Sequence, residues 1–162
     1  MNDKAVRLSV KALRALLLTA LVLDFACLAT IWLWLPMINS YVFGWEYMQL
    51  GVAMGPAALR FMYVFFIWCG LACGWCLYEG SGLLHSITLS DSFTERNARR
   101  LHSIAYAFML TSAAFIVKLI LLPSLATIFG IGLFLALGLL FLVLSRLFSH
   151  AAQMKADYDL TI

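Results

Sequence analysis

Apolar positions fill four long runs of this chain, and polar positions collect between them. The first run is 15–38, interrupted only by Asp24; the second is 57–78, with Arg60 near its start and Glu79 just past its end. The third, 104–122, carries Lys118, and the fourth, 125–148, has no charge before Arg146. A helix that crosses a bilayer needs about 20 mostly apolar residues, and each run meets that length. None shows the two-residue alternation of a strand, so a membrane barrel is not expected. The pattern predicts an all-α polytopic membrane protein. Four transmembrane helices form an antiparallel bundle in a single membrane domain over 1–162, with a loop at 79–103 and a tail at 149–162. Leu122-Pro123-Ser124 joins the last two spans into a tight hairpin. The 39–56 segment, rich in aromatics and glycine, is too apolar for a free linker and is expected along the membrane surface.

Composition narrows the function classes. The chain is 64% hydrophobic and 12% charged, against ~45–50% and ~25% in soluble domains. A soluble enzyme is therefore excluded. The few charges then set a direction. Lys4, Arg7, Lys11, Arg14, Arg96, Arg99, Arg100, Arg146 and Lys155 fall on one side, nine of the eleven basic residues. The positive-inside rule makes that side, with both termini and the 79–103 loop, cytoplasmic. Trp32, Trp34, Tyr41, Trp45 and Tyr47 crowd the opposite boundary, where amphipathic rings are favoured. Ala26-Cys27 hints at lipoprotein processing, but Asp24 and Phe25 do not suit such a site, and the first span is expected to be retained.

Candidate chemistry is sparse. Asp24 lies about ten residues into its run, near mid-membrane at ~1.5 Å per residue, where a carboxylate must be protonated or partnered. Lys118 and Arg60 are its candidate partners. The set reads either as a proton or cation site or as an intramembrane pair that fixes the bundle. Cys69, Cys73 and Cys76 share a helix face, and Cys73-Gly74-Trp75-Cys76 has redox spacing. Gly70 and Gly74 beside them offer close helix packing as the simpler account. No spacing suits a metal, a cofactor or direct nucleic-acid binding, and His85, His102 and His150 are scattered. Ser92 and Glu95 fit a capping box, with Ser92 as N-cap and a helix continuing into the third span. Phe93, Asn97 and Leu101 then share one face, and Arg96 and Arg100 a neighbouring one. This is either a cytoplasmic docking surface or a juxtamembrane turn held by anionic lipid. The terminal residues could add to a partner as a strand, be captured by their carboxylate, fold back on Arg99 and Arg100, or fray.

The stretch Phe93-Thr94-Glu95-Arg96-Asn97-Ala98-Arg99-Arg100-Leu101 resembles the F-[ST]-x-x-N-x-x-R-L motif of the bacterial membrane family called domain of unknown function 2975. The ending Asp159-Leu160-Thr161-Ile162 resembles that family's close, with Tyr158 where the family has an acid. The resemblance, taken over essentially the whole chain, implies an inner-membrane protein with no established enzymatic activity. Members are often encoded beside a small Cro-like helix-turn-helix regulator, which implies a membrane protein that binds and controls such a regulator. Phe93, Asn97, Arg100 and Leu101, with Asp159, Leu160, Thr161 and Ile162, are then the expected partner-binding residues. Two other classes stand beside this expectation: a small proton-coupled transporter centred on Asp24, and a thiol oxidoreductase using Cys73 and Cys76. The lipid bilayer is the other expected partner, and the glycine spacings permit a homodimer.

Overall fold

The computed structural model describes residues 3–38, 56–88 and 94–160, with side chains over 8–38, 56–86 and 94–155. All regular structure there is helical: α1 (Asp3–Ala29), α2 (Ile31–Ile38), α3 (Pro56–Thr88), α4 (Glu95–Leu121) and α5 (Leu125–Leu160). Four segments are long and apolar enough to cross a membrane: Leu8–Ala29, Pro56–Ser86, Glu95–Leu121 and Leu125–Lys155. Most of their outward side chains are apolar, among them Leu16, Val22, Leu71, Ile120, Phe129 and Leu133, with charged groups such as Lys11, Arg60, Arg99 and Arg146 exposed towards the span ends. That surface suits lipid tails, since helices in a bilayer gain no hydrophobic energy from hiding leucine.

The helices begin and end away from the edges of the apolar runs. The run 15–38 is not one span. α1 stops at Ala29, and α2 starts after the turn residue Thr30. The last carbonyls of a helix need partners from outside its own ladder. Here the Thr30 hydroxyl and backbone N–H both donate to the Ala26 carbonyl, at 2.9 and 3.1 Å. Trp34 Nε1 donates to the Cys27 carbonyl at 2.9 Å. Pro36 lies inside α2 and lacks the N–H a longer helix would need there. α3 continues through Glu79 to Thr88, and α4 begins at Glu95, so the expected 79–103 loop narrows to the connection 89–94. The tail is likewise a continuation of α5, helical to Leu160. The cap of α4 is Thr94, two residues after the expected Ser92, which lies outside the described residues. Thr94 is extended and its hydroxyl accepts from the Asn97 N–H at 3.4 Å, while Glu95 pairs instead with Arg99.

Each long helix runs antiparallel to the one before it and packs on it: α1 on α3, α3 on α4, α4 on α5. No close backbone packing joins α1 to α4 or α5, or α3 to α5, among the described residues. The four spans thus form an open row rather than a closed ring. The α4–α5 hairpin is the most intimate pair. Phe115 lies over Gly130, Met109 over Gly138, and Phe108 sits between Phe134 and Phe141. At the hairpin end, α2 folds onto the start of α3, burying Ile31, Leu35, Met62 and Tyr63 with Leu122. Trp32 stacks on Tyr63 at 4.5 Å between ring centroids.

Candidate functional site

The opposite end of the row, where α3 meets α4, holds most of the polar contacts between helices. Glu79, Gly82 and Ser86 recur at i, i+3 and i+7 and so share a face of α3. Asn97 and Arg100 of α4 meet them in antiparallel order. Asn97 is 1% exposed, and its Oδ1 accepts from the Ser86 hydroxyl at 2.8 Å. One turn on, Arg100 Nε lies 3.6 Å from Glu79 Oε2, an ion pair with both side chains largely buried. The guanidinium rests on α3 at Gly82, where a β-carbon would come within 2.5 Å of Nη1. Only glycine leaves room for that approach.

The contacts extend to the outer helices. Ser145 of α5 donates to the Ala98 carbonyl at 2.8 Å. Arg14 Nη1 of α1 lies 3.0 Å from His85 Nδ1 of α3. Trp75 Nε1 donates to Ser103 Oγ at 2.8 Å. Together these form a polar clasp that ties all four long helices at one end. Interhelical hydrogen bonds in a membrane average about 0.6 kcal/mol each, so the clasp adds specificity of register more than bulk stability.

The clasp revises the expected docking face. Asn97 and Leu101 are turned inward, Leu101 being 6% exposed, and Arg100 is committed to Glu79. Their spacing marks a face correctly; the face packs on α3 because its amide, guanidinium and isobutyl groups find partners there. The outward residues of the same turns are Glu95, Arg96, Arg99 and His102. Phe93, Thr161 and Ile162 lie outside the described residues, as do the side chains of Asp159 and Leu160. Ser86, Gly82, Glu79, Ser145 and the Arg14–His85 contact were not among the site residues expected from the sequence. The mirrored spacings 79–82–86 and 97–100 on consecutive spans were the available signal.

The proposed intramembrane set is not brought together. Asp24 lies within two turns of the break at Thr30, and its carboxylate sits against α3 at Gly74, where a β-carbon would come 3.0 Å from Oδ2. Asp24 Oδ2 is buried without a hydrogen-bond partner among the described residues. Lys118 is 3% exposed, donates to Thr127 Oγ1 at 2.9 Å and lies 5.5 Å from the Phe65 ring centroid. Arg60 is exposed beside Trp32 and Tyr63. The two glycines beside the cysteines serve α1, Gly70 under Leu28 and Gly74 under Asp24. Cys69, Cys73 and Cys76 instead line an apolar groove of about 390 Å³ shared with Phe108, Phe134 and Phe141. All four cysteines are free thiols.

The family described as "Protein of unknown function (DUF2975)" matches residues 45–162. The match takes in α3, α4, α5 and the clasp residues they contribute, and leaves α1 and α2 outside, a narrower reach than the motifs implied. No curated protein and no solved structure matches the chain.

Proposed function

This chain belongs to the DUF2975 family, and from that premise we propose that it is an inner-membrane protein that binds and controls a small cytoplasmic helix-turn-helix regulator. The clasp end, with the 89–94 connection, then faces the cytoplasm. The observation that carries this reading is the clasp itself. It fastens all four long helices beneath the outward Glu95, Arg96, Arg99 and His102. A displacement of any span, by a signal in the bilayer or on its far side, is therefore transmitted to those side chains. Binding uses these outward residues with the tail, and Asn97, Arg100 and Leu101 hold them in place rather than touching the regulator. The frequent placement of family members beside such a regulator, implied by the motif resemblance, supports the same reading.

The test is a pull-down from solubilised membranes with the helix-turn-helix protein encoded nearest to this gene. Arg96→Glu with Arg99→Glu, or removal of the last four residues, abolishes capture, whereas Cys73→Ala leaves it intact. Capture that is indifferent to both lesions refutes the proposed surface.

A second reading has one observation in its favour. Asp24 Oδ2, inside a span, has no hydrogen-bond partner among the described residues, which suits the carboxyl of a proton-coupled transporter. Under that reading Asp24→Asn abolishes proton-coupled efflux or uptake while the protein still inserts, and a compound panel showing no such loss removes it.

A further inference from the structure

The outer side of α4, away from α3, carries a cleft of about 180 Å³ that shares only the Ser145–Ala98 hydrogen bond with the clasp. Glu95, Ala98, Arg99 and His102 of α4 line it with Ser145 and Ser149 of α5. The cleft holds both signs of charge on one turn of helix. Arg99 Nη2 lies 2.9 Å from Glu95 Oε1, and the side chains are 78% and 71% exposed. An exposed pair at i,i+4 contributes little and opens readily for a better partner. Ser145 already donates its proton to the Ala98 carbonyl, so its oxygen is left as an acceptor. The Ser149 hydroxyl has no hydrogen bond to another described residue and can donate.

The geometry points to a binding site for a phosphoethanolamine lipid headgroup. The phosphate takes the Arg99 guanidinium, the Ser149 hydroxyl and a ring N–H of His102; the ammonium takes Glu95 and Ser145 Oγ. Charge complementarity selects the zwitterion. A simple anion would draw Arg99 away while leaving Glu95 in the same small cleft to repel it. The bilayer is the source of the ligand because the cleft opens at the edge of the apolar surface. One and two turns along from His102, Tyr106 and Leu110 are 53% and 54% exposed and offer acyl chains a wall. The site rests on this cleft alone, whichever side of the membrane the clasp end faces; because it shares Glu95, Arg99 and His102 with the surface proposed for the regulator, headgroup and regulator compete for that turn.

Native mass spectrometry of the delipidated full chain tests the assignment. Phosphatidylethanolamine, phosphatidylglycerol with the same acyl chains, and soluble glycerophosphoethanolamine are the three probes. The ethanolamine lipid binds about fivefold tighter than the glycerol lipid, the scale of one exposed charge contact. Arg99→Gln weakens both lipids. Glu95→Gln abolishes the preference and leaves the two lipids equal, and the soluble headgroup does not compete at matched concentration. Both side chains are exposed, and unchanged thermal unfolding of each variant verifies that the fold is intact. Equal binding of the two lipids to the wild type, or a preference that survives Glu95→Gln, overturns the site. Competition by the soluble headgroup as strong as by the lipid overturns the lipid as its source.

Discussion

At the scale of single residues, the buried polar groups fall into two kinds. Asn97, Arg100 and Lys118 have protein partners, whereas Asp24 Oδ2 has none among the described residues. The two kinds respond differently to substitution. Gly82→Ala puts a methyl group into the Arg100 guanidinium and parts it from Glu79. Because the flexible end of the arginine can move aside, the loss is about 0.5–1.5 kcal/mol, read as a lowered unfolding temperature in detergent. Thr127→Val removes the hydroxyl that accepts from Lys118 and costs about 1.5–3 kcal/mol, the range for hydrogen bonds to charged groups. Asp24→Asn, by contrast, leaves the unfolding temperature unchanged or raises it, since no hydrogen bond is lost at Oδ2. A marked destabilisation by Asp24→Asn would make the acid a structural element and remove the transporter reading with it.

At the scale of elements, hydrophobic runs located the helices but not their ends. The apolar pattern is the same on both sides of Thr30, because α1 and α2 are both apolar; the break depends on one hydroxyl and one indole N–H that reach back to carbonyls. Polarity misled in the opposite direction at the start of 79–103, where Glu79 and Ser86 suggested a loop, although the expected helix from Ser92 already took in their partners Asn97 and Arg100. Those groups are spent on one another, so the helices extend through them. The hairpin was legible because Pro123 and Ser124 are turn and cap residues directly between two long apolar runs. Its packing predicts that Gly130→Leu, which meets the Phe115 ring, separates α4 from α5. Engineered cysteines bridging the two helices near Ser112 and Ile131, whose side-chain and backbone groups hydrogen-bond in the native hairpin, would then cross-link poorly.

At the scale of the molecule, the chain is a row of four long antiparallel helices fastened at one end by the clasp. The membrane class and the family were legible in composition, run length and two short motifs. The direction in which the motif side chains point was not, because an amphipathic spacing identifies a face without saying what lies opposite it. The proposed function places a helix-turn-helix regulator at the clasp end, held there at the membrane. The most direct measurement is the distribution of that tagged regulator between membrane and soluble fractions in cells producing this chain. The regulator is expected at the membrane with the wild-type chain, and in the soluble fraction with Arg96→Glu and Arg99→Glu at equal levels of membrane-inserted protein. A regulator that remains soluble in the presence of the wild-type chain would contradict that placement.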